Sequence, residues 1–308
     1  GIEHRLGYQV LGEHFDNIAI ADAVVEVVTQ LGGEGTESGL FLSVGRVLQN
    51  ALDAVDVRSG DLVRLTDDQQ VGLYHVLLGQ HDIHGCGQYL TVKATSVVAI
   101  PDGVSFENAG ATPVAGLTAV QGLRTHGDLQ VGERALINGA AGGVGTMAVQ
   151  VAKALGAHVT AVCSTRNVEM VRSLGADEVI DYTCDDFVAG GARFDVMLDN
   201  VGNRHPREVR SVMLAGGRYV AVSGPKANKW VDPLPYLARA KLAFVRSEAS
   251  FHQFTPGADH DDLTFLGELL STGLLVPQID RVVGLDGVAD ALAEIGSGHA
   301  RAKIVITP

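Results

Sequence analysis

A predicted strand, a glycine-rich turn and a predicted helix follow one another without a gap in the middle of the chain. The strand covers residues 135–137 and the helix residues 143–155. Four glycines stand in or beside the turn: Gly139, Gly142, Gly143 and Gly145. Glycine is required where a backbone approaches a phosphate closely, and the first amides of a helix point at such an anion. This unit predicts the pyrophosphate site of a dinucleotide.

The residues after this unit continue to alternate between short apolar segments and helical patterns. The apolar segments are rich in Val and Ile throughout, which is typical of parallel strands that are covered on both faces. Crossovers of this length predict right-handed βαβ units and a doubly wound parallel sheet of the α/β class. The predicted strands are 135–137, 159–163, 178–180, 196–199 and 219–222, and the predicted helices are 143–155, 167–174 and 206–214.

Outside this region the pattern is less regular. Strands are predicted at 88–93 and 97–100, and a helix from Ser105 to residue 124 that is interrupted at Pro113 and Gly116. Residues 225–235, which include Trp230, resemble a loop over the carboxyl edge of the sheet, where ligands bind. Two more helices, at 263–271 and 287–295, precede a last strand at 303–306 that is expected to close the sheet. Residues 1–83 contain no proline and fit no clear pattern.

Composition restricts the kinds of partner. The formal charge of −13 argues against nucleic acid and anionic membranes. No apolar run reaches the length of a membrane span, and the first residues lack the shape of a signal peptide. The three cysteines show no paired spacing, which favours a reducing compartment. These features predict a cytoplasmic protein of two domains that acts on a small molecule.

The end of the second predicted strand bears on the choice of dinucleotide. A protein of this fold that binds NAD usually has an acidic residue there, which holds the ribose hydroxyls. In this chain the strand is followed by Ser164, Thr165 and Arg166, and none of them would repel a 2′-phosphate. The guanidinium can bind a phosphate as a fork and the hydroxyls can donate to it. The sequence therefore favours NADPH over NADH as the cofactor.

One short segment resembles a metal site. His75, His81 and His84 lie close to Asp82 and Cys86. Zinc needs three or four converging ligands, and this spacing matches no established zinc signature. We therefore favour a polar loop and predict no metal, with a zinc site in this segment as the alternative.

Four stretches together resemble the medium-chain dehydrogenase/reductase superfamily, and within it the zinc-free, NADPH-dependent quinone oxidoreductase branch. The resemblance covers about residues 85–308, while residues 1–83 match poorly. The stretches are 100–119, 138–145, 163–167 with 174–182, and 199–202 with 298–306.

This resemblance implies a fold of two domains. Residues 1–120, with the C-terminal strand at 298–308, would form a β-rich, GroES-like substrate domain. Residues 121–297 would form the Rossmann domain that binds NADP, and the active cleft would lie between the two. Relatives of this kind are usually homodimers or homotetramers.

The resemblance also implies which residues contact the cofactor. Thr118, Asn200, Ser223 and Gly224 would lie at the nicotinamide end, and Tyr182 near the adenosine phosphate. The turn residues that would surround the pyrophosphate are Ala141, Gly142, Gly143 and Val144.

Each side chain in this set also has an ordinary structural role as an alternative. The Thr118 hydroxyl could bond to its own helix, and Asn200 could cap a loop. Tyr182 could be a half-buried packing residue, and Arg166 a solvated surface residue. No catalytic residue can be assigned, although Tyr74 and Tyr89 are conceivable proton donors.

The leading functional hypothesis is a zinc-independent, NADPH-dependent oxidoreductase that transfers hydride to a quinone, enone or related carbonyl. The alternatives are an NADP-dependent alcohol dehydrogenase with zinc and an NADPH-binding protein with little catalysis.

Overall fold

A six-stranded, fully parallel sheet forms the centre of the part of the chain that the structure describes. The computed structural model describes residues 18–19, 96–223, 234–296 and 301–307. The strand order β4-β3-β2-β5-β6-β7 is that of a doubly wound sheet, so the predicted α/β Rossmann fold is confirmed. These strands are β2 (Arg134–Asn138), β3 (His158–Cys163), β4 (Glu178–Asp181), β5 (Phe194–Asp199), β6 (Met213–Ala221) and β7 (Ser250–Gln253).

Helices connect the strands and cover both faces of the sheet. The described α-helices are α1 (Phe106–Ala111), α2 (Pro113–Val120), α3 (Gly143–Ala154), α4 (Val168–Ser173), α5 (Pro206–Ser211), α6 (Leu234–Phe244), α7 (His260–Ser271) and α8 (Val288–Gly296). A π-helical segment, Gln121–His126, extends α2, and a 3₁₀ turn, Thr165–Asn167, precedes α4. No described helix is long and apolar enough to cross a membrane.

Alternate residues of each central strand face opposite sides of the sheet, and both sides are buried. In β2, Ala135 and Ile137 belong to the larger apolar cluster, whereas Leu136 belongs to the smaller cluster. Each of these side chains is 0% exposed. This double burial explains why the strand sequences are continuously apolar instead of alternating.

A second, three-stranded sheet stands apart from the first. Its order is β1 (Ile18–Ala19), β9 (Lys303–Ile306) and β8 (Ile279–Val283), all parallel. The last strand therefore has its predicted bounds but does not close the six-stranded sheet, and that expectation was wrong. The GroES-like domain predicted for residues 1–120 lies mostly outside the described residues, and the domain boundaries stay a prediction.

Several predicted elements differ from the observed ones. The helix predicted at 206–214 ends at Ser211, because Met213 pairs with Phe194 and the chain enters β6. Residues 97–100 form no strand. Strands β7 and β8 were not predicted. The strand predicted at 88–93 and residues 225–233 of the predicted loop with Trp230 lie outside the described residues, whereas residues 234–235 of that loop begin helix α6.

The helical region before the glycine turn begins as predicted. Ser105 accepts a hydrogen bond from the Asn108 backbone amide at 3.2 Å and caps α1. Helix α2 starts at Pro113, whose missing N–H has no cost in the first turn. Gly116 lies inside this helix, and an added Cβ there would come within 2.9 Å of the Leu266 side chain. The predicted interruption at Pro113 is confirmed, whereas the predicted interruption at Gly116 was wrong, because the glycine lies at a close contact between two helices.

His252 on the edge strand β7 makes stability depend on pH. Burial, followed by the nearby charges of His126 and Arg218, lowers the pKa of His252 below its ordinary value of 6.5. The unfolded chain therefore binds more protons than the folded chain as pH falls below 6.5, so this contribution to stability decreases with falling pH. The urea midpoint of the parent protein should fall between pH 7.5 and pH 5.5, and we expect it to fall less in a His252→Gln variant. An equal fall of the urea midpoint in the variant and the parent would contradict this.

Candidate functional site

The strand order of the sheet reverses its direction between β2 and β5, which are paired neighbours. The chain passes from β2 outward to β3 and β4, then returns to β5 on the other side of β2 and continues to β6 and β7. In open parallel sheets a crevice forms at such a reversal, beyond the carboxyl ends of the strands, and ligands bind there. Two loops border this crevice: the glycine turn at 139–142 and the segment 200–203 after β5.

The glycine turn is built so tightly that two of its glycines are required by the protein itself. Gly139 has φ +77°, a conformation that side chains disfavour. An added Cβ on Gly145 would lie 2.1 Å from the Gly139 carbonyl oxygen and 2.7 Å from the Ala140 Cα. The first turn of α3 therefore packs directly on the end of β2.

Gly142 has a different reason to be glycine. Its backbone, with φ −80° and ψ 175°, suits any residue. Among the described residues, an added Cβ would meet only the Gly139 carbonyl oxygen, at an ordinary 3.6 Å. In this described part of the chain, the missing side chain therefore leaves open space at the start of α3, and the N-cap residue Gly142 supplies no side-chain hydrogen bond to this helix. The first-turn amides of Gly143, Val144 and Gly145, which lack partners within the helix, could bind a phosphate there.

The C-terminal strand region supports the glycine turn from outside. Ala302 donates its backbone N–H to the Ala141 carbonyl at 2.9 Å and forms a bridge with Gly142. Ala302 is 3% exposed and has φ +51°, which is uncommon for a residue with a side chain. This contact brings the second sheet next to the predicted phosphate site.

The segment after β5 lies over the glycine turn. The Asn200 Nδ2 donates to the Asn138 carbonyl oxygen at 3.0 Å, so Asn200 links the two strands at the crevice. Asn200 Oδ1 is buried and has no hydrogen-bond partner among the described residues. A buried acceptor without a partner is costly, so this oxygen suits a donor group of a bound ligand.

Asp199, at the end of β5, fixes the shape of that segment. Its Oδ1 accepts hydrogen bonds from the Asn138 side chain at 2.8 Å and from the backbone amides of Val201 at 3.0 Å and Gly202 at 2.9 Å. Its Oδ2 accepts from the Tyr219 hydroxyl at 3.0 Å. Asp199 is 0% exposed, so each bond replaces one that water would otherwise make.

Two tyrosines extend this buried group. The Tyr219 and Tyr236 hydroxyl oxygens are 2.7 Å apart. Tyr219 gives its only proton to Asp199, so Tyr236 must donate to Tyr219. Burial, then the charge of Asp199, raises the pKa of Tyr219, and burial raises the pKa of Tyr236 to about 12. Both phenols therefore stay protonated at neutral pH and act as donors.

The end of β3 is more acidic than the sequence indicated. Asp181 ends the neighbouring strand β4 in register with Cys163. Hydrogen bonds hold the pKa of Asp181 below its usual range. The largest effect comes from the Thr165 hydroxyl, and the next comes from the Thr183 amide. A carboxylate therefore does lie beside this strand end, contrary to the inference from the residues after β3 alone. Its Oδ1 accepts hydrogen bonds from the Thr183 amide at 3.0 Å and the Thr183 hydroxyl at 2.8 Å.

The other predicted residues near the adenosine end are at the surface. Tyr182 is 58% exposed, so the alternative of a half-buried packing residue was wrong. Arg166 is exposed, and its charge contributes to a lowered pKa of Glu294 on α8, after the larger effect of Arg281. Arg166 is thus a surface residue beside an acidic group, as the alternative proposed, and its role toward a phosphate stays a prediction.

At the nicotinamide end the predicted residues fall into three situations. The Thr118 hydroxyl is buried and donates to the Val114 carbonyl at 2.6 Å, as the structural alternative predicted. The Ser223 amide contacts the Asp199 carbonyl oxygen at 3.4 Å, which places Ser223 at the crevice. Gly224 lies outside the described residues.

Sequence reasoning missed residues that shape this site. Asp199, Asn138, Asn167 and Ala302 lie within the predicted elements or family-like stretches, but no site role was predicted for any of them. The signal that could have found the first two is a polar residue at the end of an otherwise apolar strand. Ala302 could not have been found, because its importance comes from a long-range contact.

The segment that resembles a metal site lies outside the part of the chain that the structure describes. No group of three or more His, Cys, Asp or Glu side chains that could hold a metal ion occurs among residues 96–223, 234–296 and 301–307. The histidine cluster from His75 to His84, with Cys86, lies outside the described residues.

The chain is similar to known dehydrogenases and oxidoreductases. A family model described as a zinc-binding dehydrogenase matches residues 174–306. The chloroplast envelope quinone oxidoreductase homolog of Arabidopsis thaliana is 34% identical over 235 residues, which cover 73% of this chain and 69% of that protein. The mitochondrial NAD(P)H oxidoreductase RTN4IP1 of Mus musculus is 33% identical over 71% of this chain and 60% of its own length.

A solved structure shows the same arrangement. The quinone oxidoreductase from Coxiella burnetii superposes with a TM-score of 0.63 at 27% identity, over 71% of this chain and 66% of that chain. This chain therefore spans 60% to 69% of the length of these three proteins. The fold, the glycine turn and these similarities agree: the chain belongs to the medium-chain dehydrogenase/reductase superfamily, in its quinone oxidoreductase-like branch.

Proposed function

We propose that the protein is an NADPH-dependent, zinc-independent oxidoreductase that transfers hydride to a quinone, enone or related carbonyl. The observation that carries the proposal is the open space at Gly142, beside uncapped helix amides at the reversal point of the sheet. The relatives described above, which are named as quinone and NAD(P)H oxidoreductases, support the same class of reaction.

The residues present fit a dinucleotide along the carboxyl edge of the sheet. The amides of Gly143, Val144 and Gly145 would hold the pyrophosphate, and the Asn200 Oδ1 would accept a hydrogen bond from the nicotinamide half. Thr118 and Ser223 would border the same half. When bound, the cofactor supplies the hydride, and the protein orients it and excludes water.

The preference for NADPH rests on the state of the polar groups at the end of β3. Asp181 Oδ1 already accepts hydrogen bonds from the Thr183 amide and hydroxyl, which leaves this carboxylate fewer sites for ribose hydroxyls. Ser164 and Arg166 would then bind a 2′-phosphate, with Tyr182 beside the adenosine. A homodimer or homotetramer and a cytoplasmic location remain part of this proposal.

The test is NADPH oxidation by the purified full chain, followed through the absorbance band of reduced nicotinamide. We expect turnover with members of a panel of quinones, enones and aldehydes, with NADPH preferred over NADH. Dialysis against a chelator should leave the rate unchanged. Loss of activity on dialysis, restored by zinc, would instead support a zinc alcohol dehydrogenase. Tight NADPH binding without any turnover would support a binding protein.

A further inference from the structure

Asn167 is a buried polar residue beside the proposed 2′-phosphate site. It lies at the end of the 3₁₀ turn Thr165–Asn167 and is 5% exposed. Its side-chain Nδ2 donates to Ser164 Oγ at 3.1 Å, and its backbone N–H donates to the Ser164 carbonyl at 2.9 Å. In both bonds Ser164 is the acceptor.

The other half of the same amide is left unsatisfied. Asn167 Oδ1 is buried and has no hydrogen-bond partner among the described residues. Leaving a buried acceptor without a partner costs free energy of desolvation. Among the described residues, the only hydrogen bond of the Asn167 side chain is therefore the one that its Nδ2 donates to Ser164. We infer that this donor group is what the Asn167 side chain contributes here.

The donation from Asn167 decides what the Ser164 hydroxyl can do. A serine hydroxyl has one proton and two lone pairs. Since the oxygen accepts from Asn167, its proton points elsewhere, and the described part of the chain offers it no acceptor. Ser164 is only partly buried, so this proton is available to a ligand.

Thr165 behaves differently, although it is the next residue. Its Oγ1 lies 2.8 Å from Thr183 Oγ1, and Thr183 donates to Asp181 Oδ1 at 2.8 Å. The Thr165 proton is therefore directed into the group around Asp181 and is not free for a ligand. The hydroxyl that can donate at this strand end is that of Ser164.

We propose that Asn167 is a positioning residue for cofactor choice, which donates to Ser164 Oγ and thereby directs the Ser164 proton toward a 2′-phosphate. Phosphate oxygens are acceptors, whereas a 2′-hydroxyl is best held by an acceptor such as a free carboxylate. The inference rests on the proposed binding of NADPH and adds a residue that sets the preference for it.

The test compares two probes by calorimetry on the full chain: 2′,5′-ADP, which carries the 2′-phosphate, and 5′-AMP, which lacks it. We expect Asn167→Ala to weaken 2′,5′-ADP binding by about 10-fold or more, the effect of one charge-assisted hydrogen bond, and to change 5′-AMP binding by less than about twofold. Ser164→Ala should have the same effect. Ser173→Ala, an exposed serine on the following helix, is the matched control and should change neither.

The double variant separates positioning from general structural damage. If Asn167 acts through Ser164, the Asn167→Ala, Ser164→Ala double variant binds 2′,5′-ADP as weakly as Ser164→Ala alone. Additive losses, or equal losses for both probes, would overturn the inference while leaving the proposed function intact. A parent protein that does not prefer 2′,5′-ADP over 5′-AMP would overturn both.

A second variant covers the case in which Asn167→Ala does not fold. Asn167→Asp keeps the shape but replaces the donor with an acceptor, which would take the Ser164 proton. We expect it to lose the preference for 2′,5′-ADP at least as completely. A folded Asn167→Asp protein that retains the preference would show that the inference is wrong.

Discussion

A Gly145→Ala variant should lose both nucleotide binding and stability, whereas Gly142→Ala should lose nucleotide binding alone. At Gly145 the new Cβ would lie 2.1 Å from the Gly139 carbonyl oxygen, so backbone atoms must move. Overpacking of this kind costs about 1–3 kcal/mol or more. At Gly142 the Cβ would meet no atom of the described residues closer than 3.6 Å and would instead enter the space proposed for the pyrophosphate.

The measurements are thermal unfolding and NADPH titration of the same preparations. Gly257→Ala is a matched control, because an added Cβ there meets no atom within 4 Å in the part of the chain that the structure describes, and its φ is not positive. We expect that control to resemble the parent protein in both measurements. Undiminished NADPH binding by Gly142→Ala would show that the cofactor does not lie at this turn.

Replacing Asp199 with Ala should destabilise the protein by several kcal/mol, because each buried donor left without an acceptor costs about 1–3 kcal/mol. Four donors would lose their acceptor: the Asn138 side chain, the Tyr219 hydroxyl and the amides of Val201 and Gly202. These groups are buried together between β2, β5 and β6, where water cannot easily replace the carboxylate.

Asp199→Asn is the conservative comparison. Its oxygen can still accept from Val201 and Gly202, and its amide can donate to Tyr219, so we expect a smaller loss in the free energy of unfolding. Both variants should also weaken NADPH binding, because Asn200 is held over the glycine turn by this segment. Urea unfolding that gives equal stabilities for Asp199→Ala and the parent would contradict the assigned role of the carboxylate.

The sequence predicted the sheet well because its signals are local. The apolar strands and the glycines of the turn belong to short segments whose properties do not depend on distant residues. The helix predicted at 206–214 shows where this fails, since its apolar spacing continues past the helix. Pairing of Met213 with Phe194 in β5 takes the chain into β6 instead.

The site was predicted less completely than the fold. The residues after β3 gave Ser164, Thr165 and Arg166 equal standing as phosphate ligands. In the structure these residues differ. Thr165 hydrogen-bonds to Asp181 on the neighbouring strand, whereas the Ser164 hydroxyl oxygen accepts a hydrogen bond from Asn167. Asp181 is sixteen positions after Thr165, with helix α4 between them, so no local pattern could have shown the contact between these two residues.

The sequence by itself determined the parallel sheet, the strand-turn-helix unit and the superfamily, because burial on both faces and a close backbone approach impose residue types locally. Tertiary structure decided which glycine packs against backbone atoms and which faces open space among the described residues, that Asn167 donates to Ser164, and that β9 joins a second sheet. Those outcomes depend on distances between atoms that are remote in sequence. Only the folded chain fixes those distances.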